Sequence, residues 1–277
     1  MSDMNLIQVD QRKCTRCGLC VSVCRGVLGM GGDGPEVIRP LCIACGQCVA
    51  ICPQGALDNA KSPLANQAPL KEMPVLAADT AAQFLRSRRS IRNYQQRPVP
   101  RDTILQLLDI ARMAPTACNS QGVAYHVVDN ADTLRAIATV VIEWAEDELN
   151  KDSAMAASPW APNSAAQIEI YRQTGEDVVL RSAPCLVVAV ADKDFLAPVR
   201  DNAYLSLTYA QLFATSIGLG TCWTGLFEYC ASSGYEPLLD LLALPANMRV
   251  ISGLMVGYPK YAYKRLVDRN SLQVTWQ

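Results

Sequence analysis

The chain has 277 residues, half of them hydrophobic and 18% charged, which suits one small and one medium domain with a sizeable buried core. A net charge of -1 gives no electrostatic basis for binding nucleic acid or anionic lipid. No apolar run follows a basic start, and no stretch reaches the roughly 18 apolar residues of a membrane span, so a cytoplasmic protein with no membrane segment is expected.

Twelve cysteines without an export signal point away from disulfides, because the cytosol keeps thiols reduced, and toward metal or redox chemistry. Eight of them form a duplication: Cys14, Cys17, Cys20 and Cys24 recur 28 residues later as Cys42, Cys45, Cys48 and Cys52. Each run has the C-x2-C-x2-C-x3-C spacing of bacterial two-cluster ferredoxins, in which three close thiolates hold one 4Fe-4S cube and the fourth reaches the other. One cube is therefore expected on Cys14, Cys17, Cys20 and Cys52, the second on Cys42, Cys45, Cys48 and Cys24. Zinc sites use separated C-x-x-C pairs and fit these four-cysteine runs poorly. Gly18 and Gly46 fall where the backbone must turn tightly against a cluster. The glycine-rich stretch 29–38 reads as a hairpin-like connection, since no phosphate-loop pattern accompanies it.

After Asp58, Pro63, Pro69 and Pro74 interrupt a stretch with no periodic apolar face, which is linker composition. A helix is expected from a cap near Thr80 through Phe84 and Leu85, and a second, capped by Asp102, buries Ile104, Leu107, Leu108 and Ala111 before Pro115 stops it. VAYHVV reads as a strand; Leu134, Ile137, Val141 and Trp144 mark a third helical face. Residues 150–178 are irregular and suit either a cover over a substrate or a surface helix. CLVVAVAD reads as a buried strand and NAYLSLTYAQLFATSIGLG as a long, mostly apolar helix ending in glycine. TCWTGLF and RVISGLMVGYP read as strands. Helices and strands mix without regular alternation, which argues for an α+β fold.

Three separated stretches carry polar chemistry. RSRRSIR sets Arg86, Arg88, Arg89 and Arg92 around Ser90, guanidinium forks suited to phosphate oxygens. APTACNSQG offers Thr116, Asn119, Ser120 and Gln121, small groups able to hydrogen-bond the edge of a flat heterocycle. YKRLVDR adds Lys264, Arg265 and Arg269.

Together these stretches resemble the FMN-dependent nitroreductase family across roughly residues 80–277: RRSIRNYQQRPVP its opening motif, ARMAPTACNSQ its second, NAYLSLTYAQLFATSIGLGTCWTG its central helix and strand, and GLMVGYPK its late strand. The N-terminal part resembles two-cluster ferredoxins, and the tail is similar to the subgroup with such a ferredoxin in front. The resemblance implies a mixed sheet flanked by helices, and the domains expected are 1–60, a linker at 61–79, and 80–277. It implies that Arg88, Arg89 and Ser90 bind the ribityl phosphate of FMN and that Arg92 sits near the flavin pyrimidine edge, where it stabilises charge on the reduced flavin. Pro115, Thr116, Ala117 and Asn119, with Gln121 beside them, match the segment a partner subunit lays against the isoalloxazine. Thr224 and Gly225 match the turn beside flavin N5, and Arg265, with Lys264 and Arg269, the C-terminal phosphate contact. A homodimer with FMN at its interface follows. Gly122-Val123 replaces the Pro-Trp common in the family, and Thr224 an acidic residue found in some members.

His126 is the one histidine and lies in a strand pattern, so a structural role is expected. Cys118, Cys185, Cys222 and Cys230 read as small buried hydrophobes. GLGTCWTG follows a helix, so it is no dinucleotide fingerprint. The combined expectation is an oxidoreductase that passes electrons between two 4Fe-4S clusters and FMN to reduce a small flat acceptor such as a nitroaromatic or quinone. NAD(P)H or a redox protein is its donor. An electron carrier or redox sensor with a protein partner, and a dehydrogenase or dehalogenase reaction on the same fold, are the alternatives.

Overall fold

The computed structural model describes residues 6–70 and 74–277. Its residues divide into two compact units: Met1–Val75 with Cys118–Ser120, and Leu76–Ala117 with Gln121–Gln277. Part of the expected linker, residues 71–73, lies outside the described residues.

The 28-residue repeat is visible in the backbone of the first unit. β1 (Ile7–Val9) pairs antiparallel with β4 (Leu57–Asn59), and the expected hairpin is β2 (Leu28–Gly31) against β3 (Gly34–Val37). Two short helices, α1 (Leu19–Val23) and α2 (Gln47–Ala50), each follow a left-handed glycine, Gly18 at φ 79° and Gly46 at φ 72°. Two residues before each, Arg16 and Ala44 are left-handed as well, at φ 57° and 53°. L-residues other than glycine seldom adopt that conformation, so its recurrence at equivalent positions marks a loop bent around something. The Arg16 guanidinium braces the first loop by donating to the carbonyls of Gly32 (2.6 Å) and Gly31 (2.8 Å) at the hairpin turn. A small core of Leu28, Val37, Val49 and Leu57 includes the buried Cys20 and Cys48.

The second unit is built on a four-stranded sheet in the order β5 (Ala124–Val128), β6 (Cys185–Asp192), β8 (Met248–Gly257), β7 (Gly220–Trp223). These strands pair antiparallel throughout, and the parallel component is the single Ser90–Thr221 bridge. β6 is buried from Cys185 to Ala191, and its alternation divides the core. Leu186, Val188 and Val190 join the cluster beneath α5 (Ala131–Leu149), α8 (Gly225–Ser232) and α9 (Glu236–Leu242). Cys185, Val187 and Ala189 join the cluster of α4 (Arg101–Ala111) and α7 (Val199–Ser216). Period 2 along a strand forces this split. Ala203, Leu207, Ala210 and Ala214, spaced i, i+4, i+7, i+11, give α7 a face of mostly small side chains that sits close to the sheet.

Several expectations shift. The helix expected at Thr80 is α3 (Ala78–Ser87), with Ala77 in the cap position and Thr80 inside the helix. Pro100 caps α4 and places Asp102 in its first turn, where a carboxylate still favours the helix dipole. TCWTGLF is not one strand: β7 stops at Trp223 and α8 begins at Gly225. Residues 150–178 contain a surface helix, α6 (Ala161–Thr174), stopped by Gly175 at φ 71°. Among the described residues no helix is long and apolar enough to cross a membrane.

Candidate functional site

In the first unit a cavity is walled by Cys14, Cys17, Cys20 and Cys52, with Arg16, Gly18 and Pro53 around them. Cys52, from the second run, thus stands with three cysteines of the first. Burial pushes the Cys20 thiol up, and nearby Cys52 and Cys17 add to the rise. Cys48 is pushed up to about 11 by burial, with Cys24, Cys42 and Cys45 adding, so Cys24 stands with the second run. Metal binding to cysteine requires the thiol to give up its proton. Among the described residues no three His, Cys, Asp or Glu side chains gather tightly enough to ligate a single metal ion. Cys14, Cys17, Cys20 and Cys52 are instead spread around a cavity, as corner ligands of an inorganic cube are. Donors already face the sulfurs: the Ala56 amide donates to Cys52 Sγ at 3.3 Å, and the side-chain amide of the buried Asn59 lies 4.0 Å from Cys42 Sγ.

In the second unit the arginine-rich segment is bound to the sheet. Ile91 N donates to Thr221 O (2.9 Å), Tyr94 Oη to Ile91 O (2.7 Å), Gln95 N to Tyr258 O (2.8 Å) and Lys260 N to Asn93 O (2.9 Å). Ile91 and Tyr94 face inward as anchors, which leaves Arg88, Arg89 and Ser90 half-buried and Arg92 exposed. Arg88 Nη1 donates to Oε1 of the buried Gln211 on α7 at 3.4 Å. Arg89 Nη2 donates to the Arg265 carbonyl at 3.2 Å, and its guanidinium stacks 4.1 Å from the centre of the Tyr263 ring. These contacts bring the first and third sequence stretches together around a cavity of about 220 Å³ lined by Arg89, Gln211, Gly220, Thr221 and Tyr263. Lys264 and Arg269 are exposed on the tail.

The second stretch goes elsewhere. Ala117 N donates to the side-chain carbonyl of Asn202 at the start of α7 (3.0 Å), and Gln121 N to Thr116 Oγ1 (3.1 Å). Cys118, Asn119 and Gln121 are all left-handed, near φ 50°, 54° and 50°. Asn202, which holds Ala117, and Gln211, which meets Arg88, are nine positions apart on α7, about 14 Å of rise. Pro115 and Gln121 are exposed, Thr116, Ala117 and Asn119 half-buried. Cys118 is exposed, contrary to expectation, in this left-handed turn; Cys185, Cys222 and Cys230 are buried, and burial pushes Cys185 and Cys230 up to about 12.

Thr224 and Gly225 join β7 to α8. Thr224 is almost fully buried, and its hydroxyl is the one buried side-chain polar atom among the described residues without a hydrogen-bond partner. Beside it, nothing stands within 4 Å of where a Gly225 side chain would begin, so a flat group can approach bare backbone. At Gly122, which departs from the Pro-Trp pattern, the Phe195 ring stands where a side-chain carbon would begin, so an aromatic from another loop fills that space. Burial lowers the basicity of His126, which pairs with Val188 across the sheet and keeps a structural place.

Sequence reasoning passed over Gln211, Arg200, Tyr204, Trp223 and Glu228. The available signal was a buried polar row, Asn202, Ser206 and Gln211, in a helix otherwise read as apolar.

Residues 85–258 match the nitroreductase family and residues 6–53 the 4Fe-4S dicluster domain. The chain belongs to the nitroreductase family. It is an oxidoreductase of that family with a dicluster domain in front, and both matches accord with the expected cofactors, FMN and two 4Fe-4S clusters. An NADH dehydrogenase of Thermus thermophilus is 27% identical over 198 residues, covering 68% of this chain and 89% of that protein. A 4-nitrobenzoate reductase of Nocardioides sp. is 26% identical over 218 residues, covering 69% and 84%. The crystal structure of an FMN-bound nitroreductase from Desulfitobacterium hafniense superposes with a TM-score of 0.54 at 18% identity, over 70% of this chain and 97% of that one, a likeness of fold.

Proposed function

We propose that the nitroreductase-family chain holds FMN between two copies of itself and a 4Fe-4S cluster in each four-cysteine set, and reduces a small flat acceptor such as a nitroaromatic or quinone. When bound, the clusters supply single electrons and the flavin collects them into a two-electron reductant. Arg88, Arg89 and Ser90, with Arg265 and the nearby Lys264 and Arg269, bind the phosphate. Arg92 offers positive charge at the pyrimidine edge, where reduction builds negative charge. The Thr224–Gly225 backbone faces the reactive edge. Pro115, Thr116, Ala117, Asn119 and Gln121 of the second copy cover the ring. NAD(P)H or a small redox protein is the donor, and the cytoplasm is the compartment that suits eight reduced thiols.

The observation that carries this reading is the cavity at the sheet's edge, lined by Arg89, which also holds the Arg265 carbonyl, and by Gln211, which accepts from Arg88. A second cavity, of about 290 Å³ and open beside Gly225, favours an enzyme over a sealed electron carrier. Protein purified without oxygen should hold about eight iron atoms per chain and stoichiometric FMN, measured by metal analysis and flavin absorbance; zinc in place of iron, or colourless protein, overturns the proposal.

Packing around the phosphate cavity supports a further expectation. A side chain at Gly220 would stand 2.5 Å from Ile91 Cγ1 and 2.9 Å from Pro259 Cγ. Gly220→Ala should therefore push β7 off the arginine segment, cost about 1–3 kcal/mol, and release flavin at a lower temperature than the whole protein unfolds. Coincident release and unfolding at the parent temperature counts against it.

A further inference from the structure

The cavity beside Gly225 is lined by Arg200, Tyr204, Trp223, Gly225, Glu228 and Tyr229. The Tyr204 and Trp223 rings stand 5.0 Å apart at 55°, a tilted aromatic wall, and Tyr229 supplies another. Its volume of about 290 Å³ falls just below the range of small-molecule sites, roughly 300–1,000 Å³, which is room for a single ring. Bare backbone at Gly225 leaves one side flat.

The polar groups are unequally engaged. Glu228 has both carboxylate oxygens occupied, Oε1 by the Tyr204 hydroxyl and Oε2 by the Ser252 hydroxyl at 2.8 Å. Arg200, with a side chain 75% exposed, reaches Glu228 Oε1 with one nitrogen at 3.9 Å and lies 5.6 Å from the Tyr204 ring centre. A guanidinium has five N–H donors in a planar fork, so Arg200, which also meets the Tyr204 hydroxyl, retains donor capacity at the rim, while each Glu228 oxygen already accepts from a hydroxyl.

We infer that this cavity is a subsite for a single-ring aromatic anion, the ring held by Tyr204, Trp223 and Tyr229 and the carboxylate by Arg200. Its role in the reaction rests on the flavin reading above, through Gly225, which belongs to both. Walls of this kind take flat rings regardless of charge. Selection for an anion falls to Arg200, whose fork matches a carboxylate.

The test is calorimetric titration of the full-length protein with benzoate and with benzamide, its flavin content read separately by absorbance. Benzoate should bind about tenfold or more tighter, the worth of one charge-assisted hydrogen bond. Arg200→Gln should remove that difference while leaving benzamide binding in place, and Tyr229→Ala should weaken both probes alike. Benzoate binding no tighter than benzamide, Arg200→Gln weakening both equally, Tyr229→Ala affecting neither, or benzoate displacing FMN each overturns the subsite. A flavin-free preparation that still prefers benzoate upholds the subsite and sinks the cofactor reading instead.

Discussion

An Arg88→Ala, Arg89→Ala double variant is expected to lose FMN during purification while keeping its full iron content. Each guanidinium contact to a phosphate is a charge-assisted hydrogen bond of about 1.5–3 kcal/mol, so removing two weakens flavin binding by roughly two to four orders of magnitude. The fold should survive, because the segment is anchored by other groups: buried Ile91 and Tyr94, and the backbone bonds to Thr221 and Tyr258. Arg89 also holds the tail, through the Arg265 carbonyl and the Tyr263 ring, so its loss frees the residues that close the cavity. Fluorescence of released flavin, set against iron analysis and a melting curve, separates a lost site from a lost fold. A double variant that keeps its flavin through gel filtration removes both arginines from the site.

The second large effect concerns which cysteines act together. A Cys20→Ala, Cys52→Ala variant takes residues from different sequence runs but from one cavity wall. It should lose a single cube and retain about four iron atoms per chain. A Cys48→Ala, Cys52→Ala variant takes both residues from one run, yet removes one thiol from each group, since Cys48 neighbours Cys24, Cys42 and Cys45. That protein should show two damaged clusters in its low-temperature paramagnetic resonance spectrum. The reverse pattern, with one intact cube after loss of Cys48 and Cys52, means that each run serves its own cluster.

Much of the architecture was legible in local pattern. The buried faces of α4 and α5 carry the residues that periodicity selects, Ile104, Leu107 and Ala111 on one and Leu134, Ile137, Val141 and Trp144 on the other. Only Leu108 is less buried than expected, at the edge of its stripe. The end of β7 was misread because TCWTGLF is apolar throughout, and a short apolar run has the same composition whether it ends as strand or helix. Tertiary context decided it: Trp223 is the last residue paired with β8, at Leu254, and the chain then turns at Thr224 to lay Phe227 and Cys230 into the core as a helix.

What the sequence by itself determined is what repetition and periodicity record: two equivalent cysteine runs with a glycine turn in each, the continuous burial of β6 and the amphipathic helices. What only the tertiary structure decided is the company each functional group keeps. Gln211 meets Arg88 across 123 positions, Arg265 meets Arg89 across 176, and Glu228 gathers Tyr204 and Ser252, each from a different element. No local pattern encodes such meetings, because they depend on how sheet and helices pack, and packing is settled by the whole core at once.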